Sequence, residues 1–238
     1  LIEECDIPVF HDDQHGTAIV VLAALLNSLK LIGVPLEEAK IVVNGGGSAG
    51  LSITRKLFAA GATDITVVDK DGIFNEKESD KLFPHHAEIA KVTNREFRSG
   101  LLKEALVGAH VFIGVSAPGA LHAEWIKEMN EQPIIFAMAN PIPEIFPDEA
   151  IAAGAYIVGT GSSDFPNQIN NVLAFPGIFR GALDSRATKI TVEMQIAAAH
   201  GIASLVPESE LSPTNIIPDA FQPNVAKVVA DSVSGKVQ

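Results

Sequence analysis

A single cysteine, Cys5, leaves this 238-residue chain unable to form an intrachain disulfide or a thiolate metal cluster. That scarcity fits a reducing compartment. Positive charge is short as well: 17 Lys and Arg stand against 29 Asp and Glu, a formal net charge of -12. Such a balance offers no footprint for nucleic acid or for an anionic membrane surface, so neither is expected as a partner, and an anionic substrate would need a local cation. The longest apolar run, Ile19 to Leu26, falls far short of the roughly 18 residues that cross a bilayer. No basic-then-apolar leader opens the chain, and Leu1 in place of Met points to a natural start that is missing or processed. Together these absences predict a cytoplasmic protein. Internal repeats, low-complexity tracts and a flexible linker are also missing. What is present is a hydrophobic content of 47%, enough at this length for the core of one large domain.

From Lys40 onward, short β-rich runs alternate with helical patterns, as in a parallel sheet covered by helices on both faces. The strand candidates are Ile41 to Asn44, Ile65 to Asp69, Val111 to Val115, Ile134 to Ala137 and Tyr156 to Val158. Their nearly continuous apolar character is how strands buried on both faces read. Helices are predicted at Ala49 to Ala60, Leu101 to Leu106, Ala123 to Asn130 and Asp148 to Ala153, with Gly61, Gly108 and Gly154 as stops after three of them. A long apolar helix, Thr17 to Ile32, precedes the sheet, and its hydrophobicity nearly all round implies burial. After the sheet come a Pro/Gly-marked loop, a helix from about Thr191 to Leu205, a Pro-rich connection and an amphipathic helix from Pro223 to Ser232. The expected fold is therefore α/β, a doubly wound, mostly parallel sheet with flanking N- and C-terminal helices. The expected division is 1–36 for a leading loop and helix, 37–185 for the sheet, and 186–238 for the closing helices.

The sharpest motif is Asn44-Gly45-Gly46-Gly47-Ser48-Ala49-Gly50, a G-x-G-x-x-G placed directly after a strand and opening a helix. Gly45 permits the tight turn, Gly47 lets a pyrophosphate approach the backbone, and Gly50 lets the helix pack on the strand, the arrangement of a Rossmann-like dinucleotide site. The first N–H groups of that helix, at Ser48 and Ala49, and its positive end face the phosphates. Asp69 closes the next strand 19 residues after Gly50, where its carboxylate can accept hydrogen bonds from the adenosine ribose, favouring NAD over NADP. Lys70 is either a partner for the 2′-phosphate of NADP or a solvated lysine. The alternative for the whole motif is a glycine-rich turn with no ligand. Ser116, in the small-residue loop Gly114 to Gly119, stands where a cofactor ring or ribose approaches, or else belongs to a plain Pro-Gly turn.

Ahead of the long helix, His11-Asp12-Asp13-Gln14-His15-Gly16-Thr17 holds two adjacent carboxylates and two imidazoles. Neighbouring carboxylates repel unless a cation shares them, and hard oxygen ligands suit Mg²⁺ or Mn²⁺. The competing reading is that Asp12 or Asp13 caps the helix. The histidines are the weaker ligand candidates.

Ile7 to Ala18, the glycine loop, Ala137-Met138-Ala139-Asn140-Pro141 and Ser163 to Gly177 together, in this order and spacing, resemble the malic enzyme family over essentially the whole chain. The Phe10-His11-Asp12-Asp13-Gln14-His15-Gly16-Thr17-Ala18 segment is similar to the compact bacterial branch. The resemblance implies NAD(P)-linked, divalent-metal-dependent oxidative decarboxylation of malate to pyruvate and CO2. It implies that Asp13 ligates the metal, with Asp12 beside it. Asn140 and Asn171 would hold the substrate's hydroxyl and carboxylate, Asn140 also standing near the cofactor, with Asn170 as the neighbouring choice for Asn171. Without the resemblance, Asn140 before Pro141 reads as a turn initiator. It further implies a homodimer or larger assembly. The family's catalytic Tyr and Lys, a substrate-binding Arg and a Glu-Asp pair of metal ligands fall in a region preceding Leu1, so this chain alone is expected to bind nucleotide without turning over. Tyr156, the sole tyrosine, matches no catalytic motif and reads as core. A regulatory nucleotide-binding module and a malolactic enzyme, releasing lactate, are the alternative functions.

Overall fold

The computed structural model describes residues 4–236. A π-helical turn, Asp12–Gly16, runs straight into α1 (Thr17–Ile32), and the chain then enters β1 (Lys40–Asn44), α2 (Ser48–Ala59), β2 (Asp64–Asp69) and β3 (Gly72–Ile73). Two short helices, α3 (Pro84–Ala90) and α4 (Leu102–Leu106), lead to β4 (Val111–Gly114), followed by α5 (Ala123–Ile126), β5 (Ile134–Ala137), α6 (Pro147–Ala152) and β6 (Ile157–Thr160). Helices α7 (Phe175–Asp184), α8 (Val192–Ser204) and α9 (Val225–Ser234) close the chain.

The six strands form one sheet in the order β3-β2-β1-β4-β5-β6, parallel except for the β2–β3 pairing. The order reverses direction between β1 and β4, and in such sheets ligands bind at the carboxyl ends of the strands beside that switch. Side chains alternate between two cores. Ile41, Val43, Val111, Ile113, Ile134, Phe136 and Ile157 join the core under α1, α2 and the closing helices, while Val42, Phe112, Ile135 and Val158 join the other, under α4, α5 and α6.

All five sequence-predicted strands are present. Tyr156 lies one residue before β6 and is half-buried against the larger core. The helix expected over Ala123 to Asn130 is only α5, because the chain turns at Lys127 and Asn130 bonds to the Ala109 carbonyl. Three elements were not expected: β3, α3 and α7. The Phe175-Pro176-Gly177 stretch reads as a loop, yet Pro176 occupies the first turn, where its missing N–H is harmless. Gly177 and Gly181 are contact points for α9: a Cβ on Gly177 would overlap Val229, and one on Gly181 would lie 2.6 Å from the Ala230 carbonyl oxygen.

By length and composition the continuous helix Asp12–Ile32 is apolar enough to cross a membrane. Within the fold, every residue from Ala18 to Leu25 is wholly buried, and α1 packs against α2 and α8. It is a core helix, as its all-round hydrophobicity implied.

Candidate functional site

The glycine loop leaves β1 at Asn44. Gly45 has a φ of +139°, and a Cβ there would sit 2.7 Å from the Val115 carbonyl oxygen; a Cβ on Gly50 would overlap the Gly45 carbonyl oxygen. Both positions therefore exclude a side chain. Gly47 is different, having an ordinary φ of −79° and no atom within 4 Å of its would-be Cβ. It faces open space at the start of α2, where no side chain caps the first turn. Unpartnered N–H groups there present positive charge to an anion.

Gly46 carries an interaction that the motif did not foretell. Its carbonyl lies 2.8 Å from His86 Nε2, and since a carbonyl only accepts, His86 carries its proton on Nε2. His86 is buried, its ring tilted against that of Phe74 with centroids 4.5 Å apart. A Cβ on Gly46 would lie 3.1 Å from Asp69 Oδ2, which places that carboxylate at the loop. Asp69 Oδ1 accepts from the Asp71 N–H at 2.9 Å. Lys70 is exposed and pairs with Asp71 at 3.0 Å, and that contact raises its pKa; it makes no bond to Asp69.

At the ends of β4 and β5 a second buried group, Glu144, ties two loops together. Oε1 accepts from the Ser116 N–H at 2.9 Å and hydroxyl at 3.3 Å, while Oε2 accepts from the Ala139 N–H at 2.9 Å. Asn44 Nδ2 donates to Ser116 Oγ at 2.9 Å, so β1, β4 and β5 are joined at one point. Gly114 makes room for this carboxylate, because a Cβ there would lie 2.5 Å from Glu144 Cδ. Asn140, exposed, follows Ala139 directly.

The acidic turn closes the opposite side. Asp12 Oδ2 accepts from Asn171 Nδ2 at 2.8 Å, whereas Oδ1 is buried with no hydrogen-bond partner. Burial and the neighbouring Asp13 charge raise the Asp12 pKa, against a smaller lowering by His11. Neither aspartate caps α1, which disposes of the capping alternative. His15 Nδ1 accepts from the His11 N–H at 3.2 Å. Asn170 Oδ1 accepts from the Val172 N–H at 3.0 Å and so caps the turn that begins at Asn171. Asp13, Thr17, Ala49, Ser116, Asn140 and Asn171 share the wall of one cleft of about 350 Å³, with Asn170 beside them. Asp69 and Lys70 lie outside it.

A family described as the NAD binding domain of malic enzyme matches residues 14–237. The chain belongs to the malic enzyme family. It is 54% identical to the bifunctional malic/malolactic enzyme of Bacillus subtilis over 98% of this chain and 57% of that protein. Identity to the NAD-dependent malic enzyme of Geobacillus stearothermophilus is 53%, over 98% of this chain and 48% of that protein. The crystal structure of the NAD-dependent malic enzyme from Thermotoga maritima superposes with a TM-score of 0.94 at 51% identity, covering 99% of this chain and 62% of that one. The chain thus spans roughly half to three-fifths of the length of these three malic enzymes.

Set against the malic enzyme expectations, Asp13, Asn140 and Asn171 share one cleft. Asp12 adjoins it through Asn171. The Asp12–Asp13 pair fits part of a hard-cation site, since one buried carboxylate oxygen lacks a partner and the Asp12 pKa is raised by burial first and by the Asp13 charge second. The fit is partial: among the described residues no group of three or more ligating side chains gathers. His86 and Glu144 were the functional-site residues missed by sequence reasoning, and no local spacing signals either.

Proposed function

We propose that this chain forms the nucleotide-binding part of an enzyme that oxidatively decarboxylates malate to pyruvate and CO2, reducing NAD with the help of Mg²⁺ or Mn²⁺. The reading rests on the single cleft at the strands' carboxyl ends, where Asp13, Asn140 and Asn171 meet the first turn of α2. The N–H groups of Ser48 and Ala49 hold the pyrophosphate, with Gly47 leaving it room and Gly45 and Gly50 fixing the loop. Asp69 accepts from the adenosine ribose hydroxyls and repels a 2′-phosphate, while Lys70 stays with Asp71 in solvent. Ser116, held by Asn44 and Glu144, shapes the wall that the nicotinamide half meets. Asn140 donates to a substrate carboxylate. Asn171 keeps one amide hydrogen and its Oδ1 for the substrate after donating to Asp12, and Asn170 remains a capping residue. Asp13, with Asp12 adjacent, would contribute to holding a divalent cation, which would supply positive charge to the substrate's oxygens, and the bound dinucleotide would supply the hydride acceptor. No lysine, tyrosine or histidine lines the cleft among the described residues, so no general acid or base is assigned here.

The test is to supply malate, Mn²⁺ and NAD to the native polypeptide that carries this chain. NADH and pyruvate should appear in equal amounts and only with the metal. Metal-independent release of oxaloacetate would overturn the proposal. The bifunctional name of the Bacillus subtilis relative favours a second reading, malolactic conversion, which would give lactate without net NADH. A homodimer or larger assembly goes with the proposal and is measured by light scattering.

A further inference from the structure

A second polar pocket, sharing no lining residue with the malate cleft, lies between the acidic turn, α2 and the start of α8. It encloses about 200 Å³ and is lined by Gln14, His15, Ser52, Arg55, Lys56 and Gln195, with Ala59 and Val192 as its apolar edge. Its central group is Lys56, only 5% exposed, whose Nζ donates to Gln195 Oε1 at 2.5 Å. An ammonium has three N–H donors, so two remain. Among the described residues no carboxylate pairs with it, and Glu193, exposed at the start of α8, acts only through its more distant charge. The rest of the wall also donates. Arg55 brings a guanidinium, Gln14 an amide and Ser52 a hydroxyl, and His15, whose Nδ1 already accepts from the His11 N–H, holds its proton on Nε2. No acidic side chain lines the pocket.

Burying a cation without a counter-charge is costly, and a chain of net charge -12 has carboxylates in plenty that could have been placed there. We infer that this pocket is a binding site for a small oxyanion, a carboxylate or phosphate, held by Lys56 and Arg55 and hydrogen-bonded by Ser52 and Gln14. Two basic side chains beside neutral donors match such an ion. The volume suits a few-atom ion rather than a nucleotide. One wall is the turn that carries Asp12 and Asp13, so an ion bound here braces the acidic turn from behind.

The test is thermal unfolding of the chain with succinate or inorganic phosphate at millimolar concentration, against sodium chloride of equal ionic strength. The expected result is a midpoint raised by several degrees with either oxyanion, lost in Lys56→Met and reduced in Arg55→Gln. Titration of the unmutated chain, followed by NMR at the Gln195 side-chain amide and the Ser52 backbone N–H, should show saturable shifts with the same midpoint. An equal gain in Lys56→Met, no gain over chloride, or unmoved Gln195 and Ser52 signals would each overturn the inference. None of these measurements involves malate or NAD, so they stand or fall separately from the proposed activity.

Discussion

Asp69 divides its carboxylate: one oxygen holds its own turn through the Asp71 N–H, and the other is directed at the glycine loop. A hydrogen bond to a charged group contributes about 1.5–3 kcal/mol. Asp69→Ala should therefore weaken NAD binding by about 10- to 100-fold and NADP binding much less, as followed by fluorescence titration with the reduced nucleotides. Equal losses for both would remove Asp69 from cofactor choice. Lys56 gives a pH prediction. Burial lowers its pKa from 10.5 to about 8, with Glu193 opposing. Below about 8 the lysine is charged in both the folded and the unfolded chain, and the penalty for burying that charge is fully present. Between about 8 and 10.5 the folded chain binds fewer protons, so stability rises with pH. Relative to Lys56→Met, the wild-type chain should gain up to about 3 kcal/mol across that window by denaturant unfolding. A flat difference would mean that the ammonium is well solvated. The glycines and Asp69 were legible in the sequence because a strand, a tight turn and a helix constrain one another locally. His86 and Glu144 were not, since their partners lie 40 and 28 residues away in the chain and only the folded sheet brings them together.

The strand–loop–helix unit β1–α2 sorts its glycines by task, and paired substitutions separate them. Gly50→Ala forces a methyl into the Gly45 carbonyl, backbone against backbone, and should lower stability by several kcal/mol while abolishing nucleotide binding. Gly47→Ala meets nothing in the protein, so it should change stability by no more than about 1 kcal/mol yet weaken nucleotide binding, because its methyl would enter the space proposed for the pyrophosphate. Calorimetry with and without nucleotide reads both. Normal binding by Gly47→Ala would move the pyrophosphate elsewhere. At this scale α7 is the instructive miss. Pro176, Gly177 and Gly181 are turn residues by composition, but here they are a first-turn proline and two points of close helix contact, visible only once α9 is in place. The two-residue β3 is too short to carry a periodic signal, whereas the five longer strands declared themselves through short, nearly continuous apolar runs.

Across the whole molecule, α1 is the keel: wholly buried from Ala18 to Leu25, it packs against both α2 and α8. Truncating a fully enclosed leucine removes its transfer energy and leaves a cavity, so Leu22→Ala should cost about 2–5 kcal/mol in chemical denaturation. A smaller loss would show that α1 can shift to fill the gap. The order of synthesis gives this arrangement a further meaning. The most apolar helix leaves the ribosome ahead of α8, which covers part of it and starts only at Val192, and the amide that holds Asp12 belongs to Asn171, 159 positions after it. Until α8 follows, the face of this greasy segment that α8 covers stands bare, and the acidic turn is not held until Asn171 has emerged. Contacts so distant along the chain slow folding and expose sticky surface meanwhile. This stretch of the nascent chain is thus open to aggregation and proteolysis until α8 emerges, and the geometry of the acidic turn is set later than that of the helix it leads into.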